Sequence, residues 1–229
     1  MFTFPLEIIV ELKFFSDSTL DEVHPSNGTS MGMKVEAATA TDEEAAIATL
    51  ALAFAGDPMM RWSWPDPRDY LENFSAFAMA FGGMALLKGT AHRVDGCAGI
   101  ALWLAPGVEP DGRALGQLMR TTVKAEVLME GILIMEQKMC YQPKEPYWYL
   151  PLIGIDPAHQ GKGLGTALLQ HALAQCDRDG SLAYLESSNP TNIGLYQRQG
   201  FEVQGRIQIG SSPELFPMLR KPQRMSCGT

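Results

Sequence analysis

The sequence predicts an α/β fold, a mixed central sheet of about six to seven strands flanked by helices, on three observations. Short apolar runs bounded by turn residues alternate with longer segments of helical period. Their order is strands before a long helix, then strand, helix, strand, helix, strand, strand, which lays helices against a mixed sheet. At 46% apolar residues over 229 positions, the chain is too hydrophobic for a disordered one and long enough to bury a full core.

Taken in order, residues 1–33 read as a poorly ordered N-terminal extension. A short apolar stretch (Ile8, Ile9, Val10, Leu12, Phe14, Phe15) precedes a polar tract at 16–30, and Met31 or Met33 stands as the start of the domain, 34–222, with a tail at 223–229. Residues 34–38 predict a short strand. Thr41 with Glu44 forms a capping box, and Ile47, Leu50, Ala51 and Phe54 then share one helical face until Gly56 and Pro58 stop it. A Trp/Pro-rich loop spans 61–67 and an apolar helix 68–87. Strands at 91–94 and 97–104 are joined through Asp95-Gly96 as a hairpin, and an amphipathic helix covers 113–139. Strand 147–156, helix 163–178, strand 182–187, helix 190–199 and strands at 201–209 and 215–220 complete the chain.

Composition removes several function classes. Eighteen Lys+Arg against 26 Asp+Glu leave a net charge of −8, the wrong sign for a protein that grips nucleic acid through phosphates. The longest uncharged apolar stretch, 74–87, is shorter than the roughly 18 residues a membrane span needs. The first residues lack the positive region of a signal peptide. Cys97, Cys140, Cys176 and Cys227 are widely separated and His24, His92, His159 and His171 stand apart, so no metal site is expected. These features point to a cytoplasmic protein with no nucleic-acid or membrane partner, a monomer or a homodimer.

The informative segment is 148–169. It opens as a near-continuous apolar run, the mark of a strand covered on both faces, yet contains Pro151 and Gly154. Pro removes a ladder donor and Gly marks a bulge or a close approach, so this strand is expected to part from a neighbour. Gln160-Gly161-Lys162-Gly163-Leu164-Gly165-Thr166 then leads into a helix. Alternating glycines can turn successive N–H groups into an anion-binding nest, and the helix N-terminus adds unpaired donors and partial positive charge. The segment fails the Walker pattern and misses the dinucleotide fingerprint by one residue, which weakens a nucleotide-binding reading.

Gln160-x-x-Gly163-x-Gly165, after an apolar strand ending Ile155-Asp156-Pro157, resembles motif A of the GNAT superfamily of N-acetyltransferases. The resemblance continues through Leu185-Glu186, Asn189 and Leu195-Tyr196-Gln197-Arg198-Gln199-Gly200-Phe201, with Asn seven residues before Tyr. It covers roughly 147–205, and puromycin N-acetyltransferase-type members are the most similar in style.

The resemblance implies a GNAT-type sheet with a splayed strand at about 147–156 and acetyl-CoA as cosubstrate. Its pyrophosphate is expected on Gln160, Gly161, Lys162, Gly163, Leu164, Gly165 and Thr166. Its pantetheine arm is expected along the backbone of Leu152, Ile153, Gly154 and Ile155, where one N–H would face the thioester oxygen. Lys162 either adds charge there or is simply solvated. Asn189 either bonds the arm or caps the helix that Pro190 opens. Tyr196 is implied as the acid that protonates the leaving thiolate, against a core aromatic. Glu186 is the base candidate by resemblance, but lies three residues before the Asn rather than five as in ribosomal-protein acetylating members, so a solvated Glu and a water relay stay open.

Trp62 and Trp64, in the loop after the first helix, are candidates to wall an acceptor pocket suited to an apolar or aromatic body; Trp103 and Trp148 read as core. The expected function is acetyl transfer to a primary amine of a small molecule. The alternatives are a peptide or protein N-terminal or Lys acetyltransferase and a non-catalytic CoA-binding sensor.

Overall fold

The computed structural model describes residues 33–223; the readings for 1–32 and 224–229 lie outside the described residues. The strands are β1 (Val35–Ala37), β2 (Ala91–Val94), β3 (Gly99–Leu104), β4 (Tyr147–Ile155), β5 (Leu182–Ser187), β6 (Glu202–Val203) and β7 (Phe216–Arg220). The helices are α1 (Glu43–Phe54), α2 (Pro58–Ser63), α3 (Pro67–Gly82), α4 (Met84–Lys88), α5 (Gly112–Thr122), α6 (Ala125–Tyr141), α7 (Leu164–Asp179) and α8 (Ile193–Arg198). Among the described residues the strands make one mixed sheet of seven, in the order β1-β2-β3-β4-β5-β7-β6. β4 and β5 run parallel and every other pair is antiparallel. The expected α/β architecture is the one observed.

Side-chain alternation divides the core into two layers. Ile100, Leu102 and Leu104 of β3 pack with Leu152, Tyr149 and Tyr184 under α1, α3 and α4. Ala101 and Trp103 point to the other face, where Leu164, Leu168, Leu169 and Leu173 of α7 join Leu150, Leu185 and Tyr196. Leu168 and Leu169 are completely buried, each a gain of about 1.5–3 kcal/mol from apolar burial. A third, smaller cluster of Ile134, Ile207 and Leu215 ties α6 to the segment before β7.

Several element readings are corrected. The capping box is two residues earlier than expected: Thr39 caps a 3-10 turn at Ala40–Asp42, with Asp42 rather than Glu44 reaching back. The 61–67 loop is largely helix, because Asp57 does not only follow the end of α1 but caps α2, with Pro58 at the first helical position. The helix expected over 68–87 is two, α3 and α4, meeting at Gly83. The helix expected over 113–139 is also two. The β-branched run Thr121-Thr122-Val123 ends α5, with both Thr hydroxyls bonding back to carbonyls of the preceding turn. The β2–β3 connection is four residues, with Asp95, Gly96 and Cys97 all at positive φ. The strand expected over 201–209 shrinks to β6 plus one bridge from Ile207 to Leu215. No helix among the described residues is long and apolar enough to cross a membrane.

Candidate active site

β4 parts from β5 where the sequence suggested. The two pair only through Tyr147–Leu182, Trp148–Ala183 and Tyr149–Tyr184, while β5 goes on pairing with β7 as far as Ser187–Phe216. β4 stays laddered to β3, with a register shift between Leu102 and Leu104 that gives β4 one extra residue beside Pro151. Proline thus sits at the irregularity. Gly154 does not: it pairs in register with Ile100, and its missing side chain makes room for α1. A Cβ there would lie 2.7 Å from Ala53 Cβ and 3.0 Å from Leu50 Cδ2. The glycine therefore answers a helix packing close on the strand.

Beyond β4, Gly161 (φ +77°) and Gly163 (φ +84°) take the left-handed conformation that glycine adopts without strain, and Gly163 is the N-cap of α7. The helix ladder begins with Ala167 N–H to Gly163 O, so the N–H groups of Leu164, Gly165 and Thr166 lie ahead of it, as at any helix start. Gly161, Lys162 and Gly163 are exposed, and Gln160 Nε2 folds back toward Ile155 O at 3.5 Å. The turn and the helix start thus leave exposed backbone N–H groups next to one another in sequence.

The splay opens a polar cleft of about 240 Å³, lined on the β4 side by Leu150, Pro151 and Ile153 and on the other by Glu186, Ser188, Asn189, Asn192 and Tyr196. Tyr196 is buried, and burial, then the charge of Asp57, push its pKa up. Asn189 caps the 3-10 turn before α8, its Oδ1 accepting from Thr191 N (3.0 Å) and Thr191 Oγ1 (2.8 Å). The capping alternative is thus observed, and only its Nδ2 remains for a ligand.

A second, strongly apolar cavity of about 380 Å³ lies on the other side of β4, between α2, α3, α5 and α6. The two cavities share Phe54, Asp57, Pro151, Glu186 and Ser188 in their walls. Glu186 is not the solvated strand-end residue that sequence allowed: its side chain is 4% exposed. Its Oε2 accepts from Tyr149 OH (2.7 Å) and pairs with Lys138 Nζ (3.3 Å), while Oε1 is buried without a hydrogen-bond partner. Lys138, 8% exposed at its side chain, also lies over the Phe81 ring at 5.2 Å. Burial first, and the Glu186 charge second, hold the Tyr149 phenol's pKa well above its ordinary value. A buried carboxylate with one oxygen anchored and one unpartnered can accept a proton or a hydrogen bond from whatever reaches that junction.

Asp57 is the other buried acid at the junction. Its Oδ1 accepts from Met59 N (3.0 Å) and Met60 N (3.2 Å), and its Oδ2 from the Ser188 hydroxyl. Burial raises its pKa against the pull of those three bonds. Sequence reading missed Asp57, Lys138 and Tyr149. The Asp-Pro step carried a helix-start signal for Asp57; nothing local marked Lys138.

The two tryptophans diverge. Trp62 is half-buried, lines the apolar cavity and donates from Nε1 to Ser211 Oγ (3.0 Å), which in turn donates to Glu130 Oε2 (2.8 Å) on α6. Trp64 does not serve as a pocket wall. Two residues on, at the C-cap of α2, it points elsewhere, 1% exposed in the core, its Nε1 bonded to Thr122 Oγ1. Trp103 is core as expected. His92 and His171, read as isolated, meet with ring centroids 4.7 Å apart. Among the described residues no group of three or more His, Cys, Asp or Glu is placed to hold a metal ion.

Residues 58–201 match the family model described as "Acetyltransferase (GNAT) family". The chain belongs to that family, whose acyl donor is acetyl-CoA. It is 27% identical over 215 residues to an uncharacterized N-acetyltransferase of Schizosaccharomyces pombe, an alignment covering 85% of each chain. It is 30% identical over 82 residues to a peptidyl-lysine N-acetyltransferase of Salmonella typhimurium, covering 33% of this chain and 55% of that one. Among solved structures it resembles the histone acetyltransferase HPA2 and related acetyltransferase from Corynebacterium glutamicum. That match has a TM-score of 0.63 at 25% identity and covers 86% of this chain and 99% of the other. The protein is an acetyltransferase.

Proposed function

We propose that the chain moves the acetyl group of acetyl-CoA to a primary amine of a small molecule by direct attack on the thioester. The observation that carries this is the buried carboxylate of Glu186, a residue lining both a polar cleft and an apolar cavity, with one oxygen, Oε1, left without a hydrogen-bond partner. In this reading the donor lies in the cleft. Its pyrophosphate takes the N–H groups of Gln160–Thr166, its amide-bearing arm the free side of β4 at Leu152–Ile155 and the Asn189 Nδ2, and the acceptor amine comes through the apolar cavity.

An alkyl ammonium with a pKa near 10 is only about one part in a thousand neutral at pH 7, so its proton must be taken. Glu186 Oε1 accepts it, with Tyr149 and Lys138 holding the carboxylate in place. The nitrogen lone pair then forms the C–N bond to the carbonyl carbon, and the C–S bond breaks. Tyr196 gives its proton to the departing sulfur, the surplus proton on the new amide nitrogen replaces it on the phenolate, and the proton held by Glu186 is released to solvent. The acidic chain with its scattered cysteines suits a reducing, cytoplasmic setting.

The test is thiol release from acetyl-CoA across an amine panel with wild type and Glu186→Gln. We expect Glu186→Gln to lose about 100-fold or more in kcat/KM with CoA binding retained by calorimetry. Full activity of that variant would remove Glu186 from the reaction. Acetylation of a lysyl peptide in preference to every small amine would favour the reading suggested by the peptidyl-lysine relative's name.

A further inference from the structure

The wall of the apolar cavity contains the means to choose among amines by charge. Met59, Met119, Met135, Phe77, Phe81 and Trp62 supply most of its character. Its charged members among the described residues are Asp57, Glu136, Lys138 and Glu186. Three of the four are already engaged. Lys138 is paired with Glu186 and seated on Phe81, and Asp57 accepts two backbone N–H bonds and the Ser188 hydroxyl. Glu136 is exposed at the rim. Of the carboxylate oxygens of Asp57 and Glu186, Glu186 Oε1 is the one without a hydrogen-bond partner.

Building on the acetyl-transfer reading above, we infer that the acceptor is a monoamine with an uncharged, apolar body, its single ammonium matched to Glu186 Oε1. A carboxylate on the body finds no uncommitted cation, since Lys138 already serves Glu186. Asp57 is taken up by three hydrogen bonds and Glu136 lies at the exposed rim, so a second ammonium held inside, like the backbone of a lysyl peptide, enters apolar surroundings, and an unpaired buried polar or charged group is strongly disfavoured. The methionine side chains, long and unbranched, adapt to bodies of different shape, so selection acts on charge and apolar area more than on outline. The volume, about 380 Å³, lies at the small-molecule end of ligand pockets.

The experiment compares kcat/KM by thiol release for hexylamine and benzylamine against 1,6-diaminohexane, leucine and a short lysyl peptide. Hexylamine and 1,6-diaminohexane have the same length and differ by one terminal charge. The monoamines are expected to lead by roughly 100-fold. Equal or faster turnover of the diamine, leucine or the peptide overturns the inference while leaving acetyl transfer intact; consumption of acetyl-CoA with none of the five overturns both. A second variant tests placement. Met135 lines the cavity and is 47% exposed, so Met135→Glu is compatible with folding. It is expected to move the hexylamine to diaminohexane ratio toward the diamine by about 10-fold. An unchanged ratio in the folded variant refutes the cavity as the seat of this choice.

Discussion

Lys138→Met probes how the buried acid at the cavity junction is kept ready. The substitution preserves the unbranched stem and removes an ammonium 3.3 Å from Glu186 Oε2, in a pair whose side chains are 8% and 4% exposed. Deleting one partner of such a buried pair costs about 3–5 kcal/mol if the other must stay charged. Tyr149 still donates to Oε2, so part of the carboxylate's support survives. Taking the remaining loss as about 1.4–2.7 kcal/mol of transition-state stabilisation, kcat/KM for the amine should fall about 10- to 100-fold. Lys138→Arg keeps the cation and should stay near wild type. The assay is thiol release from acetyl-CoA under saturating donor, with folding of each variant checked by urea melts. An unchanged kcat/KM of folded Lys138→Met would refute the argument that Lys138 supports Glu186 in the reaction.

Tyr196→Phe keeps the ring between α8 and the sheet and removes the proton donor; kcat should drop about 100-fold with CoA affinity by calorimetry unchanged. Gly154→Ala would force a Cβ to 2.7 Å from Ala53 Cβ, and we expect a loss of about 1–3 kcal/mol in urea unfolding as α1 is displaced. Burial, then the neighbouring His171, depress the pKa of His92 from 6.5 to about 4, so the unfolded chain binds the extra proton between those values. Stability therefore falls as pH drops through that window, by up to about 3 kcal/mol. His92→Gln should flatten that slope in urea melts at pH 4.5 and 7, and an unaltered slope would assign it to other groups.

What the sequence disclosed follows from how local each signal is. Strand β4, the Gly161–Gly163 turn and α7 are contiguous, and their glycine, proline and apolar periods act within a few residues, so they could be read in one pass. The strand does part from a neighbour, β5, but of the two residues the sequence offers as the cause only Pro151 stands at the irregularity, while Gly154 serves α1. The junction of the two cavities is assembled across the chain: Asp57 from the N-cap of α2, Lys138 from α6, Tyr149 from β4 and Glu186 from β5. Lys138 reads as one more polar residue on an amphipathic helix, and only its burial against Phe81 and Glu186 distinguishes it. Trp62 and Trp64 looked equivalent until the segment proved helical and turned them apart.

The contact of Trp62 with Ser211, and of Ser211 with Glu130, joins three stretches of chain outside the sheet. Trp62 also lines the apolar cavity, whereas the Gly161–Gly163 turn belongs to the separate β4–α7 connection. Under the proposed function, exchanges along the Trp62–Ser211–Glu130 link would reshape the acceptor's side and leave the donor's turn untouched.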